Sequence, residues 1–274
     1  GSARLDIYSQ VGDSLAGRYF LHRLLPLSLA ELKQLGQSTD LNHLLQRSGF
    51  PEPFLAENNT EAERWRMQYI TSLLSTDVFE IDMIQNIKAI QLIFKLLQHR
   101  VGAPISYQSL AEDVGVSIHT IKKYIEILEA LYVIFRVTPF SKNIARSILK
   151  SPKIYFFDTG LVNGDEGIKL ENLTAVSLLK DLYARQDNLA EKCSLHYLRT
   201  REQHEVDFAL VKNEKIEKII EVKLSHQEIS SSLSYFHQKY DLPAIQVVKN
   251  LPQERIKNGI TLMKADKFLS SLYL

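Results

Sequence analysis

Two short stretches carry the residue types that do chemistry, Glu205-Val206-Asp207-Phe208 and Ile219-Ile220-Glu221-Val222-Lys223. In a strand alternate side chains share a face, so Glu221 and Lys223 point one way while Val222 enters the core. Glu205 and Asp207 likewise stand opposite Val206 and Phe208. Thirteen residues separate Asp207 from Glu221, and a hairpin turn around Asn213 would set the two on adjacent strands. Paired carboxylates at one sheet edge suit a hard divalent ion such as Mg²⁺, whose remaining positions go to water and phosphate oxygens. Water held there can attack a phosphodiester, and a lysine close by orients it or stabilises the developing charge. Asp207 and Glu221 are thus candidate metal ligands, and Lys223 a candidate catalytic cation. The plainer alternative is a surface Glu-x-Lys ion pair, which contributes little.

The elements that must position these residues are legible in the apolar pattern. Residues 161–274 alternate helix and strand: an amphipathic helix over 170–185, strands at 194–200, 205–211, 218–224 and 244–248, and helices at 230–240 and 264–272. That order predicts a mixed sheet covered by helices, in an α/β (mixed α+β) class. Residues 83–160 read as three helices and a strand pair. Ile87, Ile90, Ile93, Phe94 and Leu97 share one helical face before Val101-Gly102-Ala103-Pro104 stops it. A short helix over 107–114 ends at Gly115, and Ser117 then caps a third, with Ile121, Ile125, Leu128 and Leu131 as its stripe. Strands at 132–138 and 153–157 follow, which is the order of a winged helix-turn-helix. Residues 1–82 hold helical patterns at 28–35, 40–47 and 60–75, the last with Thr60 as cap and Glu63 completing a capping box.

Charge is segregated along the chain. The whole has 33 Lys+Arg against 32 Asp+Glu, a net +1. Between Lys88 and Lys153, however, ten basic residues (Lys88, Lys95, Arg100, Lys122, Lys123, Arg136, Lys142, Arg146, Lys150, Lys153) face four acidic ones (Glu112, Asp113, Glu126, Glu129), a net of +6 that leaves −5 for the rest. His119, Thr120, Lys122 and Lys123 lie off the apolar stripe near the start of the third helix, where a recognition helix meets bases and phosphates. DNA is the partner this predicts; a solvated lysine face on a protein-docking module is the alternative. With 45% apolar and 24% charged residues the composition is that of a globular protein. A single cysteine, Cys193, and no apolar run of membrane-spanning length predict a cytoplasmic protein with no membrane partner.

The spacing D-x13-E-x-K resembles the motif of PD-(D/E)XK nucleases of the restriction-endonuclease-like fold. That resemblance implies a helix-borne first acid, matched by Glu171, so that Glu171, Asp207, Glu221 and Lys223 form the catalytic set. The chain as a whole resembles the C-terminal part of bacterial and archaeal AAA-superfamily ATPases that carry a C-terminal domain of unknown function. The residues that carry this likeness include Ser14-Leu15-Ala16-Gly17-Arg18, Ser48-Gly49-Phe50-Pro51-Glu52, Thr120-Ile121-Lys122-Lys123-Tyr124 and Lys150-Ser151-Pro152-Lys153-Ile154-Tyr155-Phe156-Phe157-Asp158-Thr159-Gly160-Leu161. It implies three parts: a remnant of the ATPase domain over 1–82, a winged helix over 83–160 and a nuclease-like domain over 161–274. ATP would bind only with the ATPase core, because Gly12-x4-Gly17-Arg18-Tyr19 lacks the Lys and Ser/Thr of a P-loop. The resemblance implies that Arg18 reaches nucleotide in the intact molecule or in a neighbouring subunit, an ordinary surface or interface arginine being the alternative; the ATPase core, or a second copy in a homo-oligomer, is then the further partner. A non-catalytic docking module with an inactive nuclease fold is the competing expectation.

Overall fold

A computed structural model describes residues 20, 22–36, 40–74, 86–141, 151–225 and 228–273. Arg18, the Gly12–Gly17 stretch and the basic residues Lys142, Arg146 and Lys150 lie outside them. Eight strands, β1 (Ile134–Pro139), β2 (Lys153–Phe156), β3 (Cys193–Arg199), β4 (Glu205–Lys212), β5 (Lys215–Lys223), β6 (Ala244–Val248), β7 (Arg255–Lys257) and β8 (Ile260–Lys264), join in one mixed sheet. Their order across it is β2-β1-β3-β4-β5-β6-β8-β7. This is the mixed α/β class that the alternation of strand and helix implies.

The centre of the sheet is a meander. β3, β4 and β5 pair antiparallel, and β6 then returns parallel to β5. The β4–β5 turn is Asn213-Glu214, with φ 49° and 64°. Two left-handed residues in a row twist a two-residue hairpin as its strands require. Helix α8 (Glu166–Leu189) precedes β3, and α9 (Ser231–Tyr240) joins β5 to β6. α8 is longer than the expected 170–185 because Asp165 caps it, its side chain accepting from Ile168 N–H.

The three-helix part is α5 (Ile87–Gln98), α6 (Tyr107–Val114) and α7 (Ile118–Ala130). Gly115, in the left-handed region at φ 73°, ends α6, and Ser117 caps α7 through Thr120 N–H. β1 and β2 pair antiparallel behind them. β1 also pairs parallel with β3, at Thr138–His196 and Pro139–Tyr197, so the wing strands and the meander belong to one sheet.

Near the N-terminus lie α1 (Leu29–Gln34), α2 (Leu41–Arg47), α3 (Pro51–Leu55) and α4 (Asn59–Ser72). Thr60 does not cap α4; Asn58 does, its side chain accepting from Glu61 N–H. Of these, α2 packs on α8 and α3 and α4 pack on α2, while Lys180 Nζ of α8 donates to the Pro26 carbonyl at 2.8 Å and pairs with Glu31 of α1. Two elements were not anticipated. β7 and β8 occupy residues read as loop and helix start, joined at Asn258-Gly259 with φ 53° and 78°. The final helix, α10, is only Ala265–Leu269.

Candidate active site

The β4–β5 ladder ends at the Phe208–Ile220 pair. Asp207 and Glu221 are the next residue on each strand, at the mouth where the two separate. There the Asp207 carboxylate takes over from the backbone, accepting from Val222 N–H at 2.9 Å. Val206 and Phe208 are buried while Glu205 and Asp207 are half-buried, as strand alternation requires. Glu221 departs from the pattern. It is only 4% exposed. Its Oε1 lies 2.7 Å from Lys223 Nζ, and its Oε2 is buried with no hydrogen-bond partner. Such an atom normally has a partner.

Glu171 reaches the same place from the second turn of α8. Its Oε1 accepts from Tyr155 Oη at 2.7 Å. It also lies against Gly102, where a Cβ would fall 2.7 Å from Glu171 Oε1. Glu171, Asp207, Glu221 and Lys223 are therefore brought to one locus, the last three being the residues whose spacing suggested it and Glu171 the one that the resemblance implied.

Sequence reasoning missed the residue at the centre. Lys153, the first residue of β2, is 1% exposed. Its Nζ lies 2.8 Å from Glu205 Oε1 and 3.6 Å from both Glu171 Oε1 and Asp207 Oδ1. The aromatic ring of Tyr197 lies 5.4 Å from the same ammonium. Lys153 is one of the ten basic residues behind the net +6 of residues 88–153; its ammonium lies inside the acidic site. A lysine opening a run of otherwise apolar strand residues, Lys153-Ile154-Tyr155-Phe156, was the available signal.

The electrostatics follow from crowding and burial. Burial and then the Asp207 charge push the Glu171 carboxyl up to about 8 and the Glu221 carboxyl up to about 7. Burial pulls the Lys153 ammonium down, but the charges of Glu171, Asp207 and Glu205 outweigh it and leave it above its ordinary value. Burial likewise pulls Lys223 down, but the charge and hydrogen bond of Glu221, with the charges of Asp207 and Glu171, together leave it above its ordinary value. Carboxylates this reluctant to ionise lack positive charge, and the orphaned Glu221 oxygen supplies a lone pair for it. Among the described residues no three His, Cys, Asp or Glu side chains form a ready metal cage. Mg²⁺ keeps several waters and needs only one or two carboxylates, so Asp207 and Glu221 fit it.

The winged-helix candidates lie apart from this locus, on α7. His119, Lys122 and Lys123 are exposed, whereas Thr120 is half-buried in the cap, its Oγ1 2.9 Å from Ser117 Oγ.

Two family models match the chain, meeting at the start of α8. Residues 38–172 match a domain of unknown function (DUF8612) and residues 166–268 another (DUF4143), which is a domain found in AAA-ATPase-associated proteins. Uncharacterized proteins of Mycobacterium bovis and Mycobacterium tuberculosis are each 30% identical over 217 residues, covering 76% of this chain and 47% of theirs. An uncharacterized protein of Haemophilus influenzae is 20% identical over 259 residues, covering 85% of this chain and 64% of that one. The chain thus spans about half the length of the mycobacterial relatives. No solved structure matches. Among the described residues, no helix is long and apolar enough to cross a membrane.

Proposed function

We propose that this chain is the C-terminal part of an AAA-type ATPase in which the winged helix contacts DNA and the α8–β3–β4–β5–α9–β6 unit cleaves phosphodiester bonds with Mg²⁺. The observation that carries it is the meeting of Glu171, Asp207, Glu221 and Lys223 at the end of the β4–β5 ladder, with Glu221 Oε2 buried and unpartnered. The order helix, three-stranded meander, helix, parallel strand is that of the restriction-endonuclease-like core the motif resembles.

When bound, Mg²⁺ supplies positive charge to a phosphate and acidifies water beside it. Asp207 and Glu221 would hold the ion, and the Val222 N–H bond fixes the Asp207 carboxylate for that task. Lys223, held by Glu221 at 2.7 Å, presents an ammonium to the negative charge that develops on the phosphate. Lys122 and Lys123 would neutralise backbone phosphates, with His119 and Thr120 beside them on the helix, which makes DNA binding fall steeply with salt. ATP belongs to a core outside this chain, the place where Arg18 would act.

A nuclease assay with Mg²⁺ or Mn²⁺ on single- and double-stranded DNA tests the reading, beside Asp207→Ala and Glu221→Ala. Cleavage by wild type and a loss of at least ~100-fold in each variant is expected, the scale of losing a group that stabilises the transition state. No cleavage by wild type, or undiminished cleavage by both variants, overturns it.

One observation favours a second reading. Lys153 already pairs with three of the carboxylates, as in a structural ion cluster within a docking module of the ATPase. DNA affinity that does not change with salt, together with tight binding to the ATPase core, would decide for that module.

A further inference from the structure

Lys153 comes from the wing hairpin, outside the helix and strands that carry the other charges of the site. Its ammonium has three protons and three carboxylates around it, those of Glu205, Glu171 and Asp207, at 2.8, 3.6 and 3.6 Å. An ammonium 1% exposed is held only by excellent pairing. Two-ion hydrolytic sites use clustered carboxylates to hold two cations about 3.5–4 Å apart; in this cluster the place among Glu171, Glu205 and Asp207 is taken by the Lys153 ammonium. Here one half of the cluster is filled. Tyr155 Oη and Gly102 close around Glu171 on the Lys153 side, while the unpartnered oxygen belongs to Glu221 on the Lys223 side.

We infer that Lys153 is a resident counter-cation in the place of a second divalent ion, so that the site takes one ion, at Asp207 and Glu221, and not two. The inference rests on reading those two residues as ion ligands. It makes Lys153 a positioning residue, tethered to the wing, that orders Glu171, Glu205 and Asp207 whether or not an ion is present.

The test is the number of Mn²⁺ ions bound per full chain, followed by the electron paramagnetic resonance of free Mn²⁺. Wild type, Lys153→Met, Lys153→Gln and Glu221→Gln are compared, with folding checked by circular dichroism. Wild type is expected to bind one ion, both Lys153 variants one more, and Glu221→Gln none. The thermal midpoint of Lys153→Gln should rise with saturating Mn²⁺ by about 5 °C more than that of wild type. That measurement serves also if Lys153→Met folds only with metal. An unchanged ion count in Lys153→Gln, or two ions in wild type, overturns the inference. If wild type binds none and Lys153→Gln binds one, the Lys153 assignment stands and the reading of Asp207 and Glu221 fails; one ion in both gives the reverse.

Discussion

Glu171 and Glu221 are the residues whose ionisation the fold opposes most clearly, and this fixes how stability responds to pH. An unfolded Glu titrates near ~4.3, whereas burial and the Asp207 charge carry Glu221 to about 7 and Glu171 to about 8. Between those limits the folded chain holds protons that the unfolded chain has lost, so stability falls as pH rises through the window. The lysines do not offset this. Lys153 and Lys223 are raised above their ordinary value, so their contribution is present in full throughout the window and is lost only at higher pH. Urea unfolding in the presence of a chelator should thus give a free energy several kcal/mol lower at pH 8.5 than at pH 5.5. Glu221→Gln, which removes one ionising group without changing shape, should flatten that dependence and stabilise the chain at pH 8.5. Equal slopes in wild type and variant would contradict the origin assigned here.

At the scale of elements, the segment following β2 fastens helix α4 to the rest of the molecule. Arg66 of α4 and Asp158 are each 2% exposed and pair at 3.1 Å, and Asp158 Oδ1 also accepts from Gly160 N–H at 2.8 Å. Gly160 is needed for the approach, since a Cβ there would fall 2.1 Å from the Arg66 guanidinium carbon. Asp158→Ala leaves the buried Arg66 guanidinium with only Glu63 and the Gln46 carbonyl as partners and should cost about 3 kcal/mol. Arg66→Leu added to it should recover part of that loss, which a double-mutant cycle by urea unfolding reads directly. The turn at Asp158 is local, its side chain acting within its own loop; its partner, 92 residues away, is not something a local pattern can indicate. The same distinction runs through the fold. The cap at Ser117 and the turn at Asn213 are local and stand in the sequence, as does the Asp207, Glu221 and Lys223 spacing once the hairpin is placed. Lys153 entered the site through a sheet pairing that no local pattern specifies. β7 and β8 were missed despite the Asn258-Gly259 hairpin signal, because the apolar residues after it also suit the start of a helix.

Across the whole molecule, the wing strands and the meander share one sheet and one core. β1 pairs with both β2 and β3, and a continuous cluster of buried side chains runs from Leu25 through Ile90, Ile121, Tyr155, Leu178 and Phe208 to Leu269. Asn172 of α8 clamps this union. Its side chain accepts from Phe156 N–H at 2.8 Å and donates to the Phe156 carbonyl at 2.9 Å and to Thr159 Oγ1 at 3.0 Å, all fully buried. Cutting the chain at 160/161 would therefore expose an unpaired β3 edge and strip α8 of its apolar cover, rather than release two modules. Asn172→Ala leaves both backbone groups of Phe156 without that partner in a place water does not reach, a cost of about 2–4 kcal/mol. Because the clamp joins the two halves, its loss should lower a single calorimetric transition of the full chain and leave it single. A wild-type chain melting in two steps, with only one moved by Asn172→Ala, would mean that the wing and the meander fold independently and that the sheet between them contributes little.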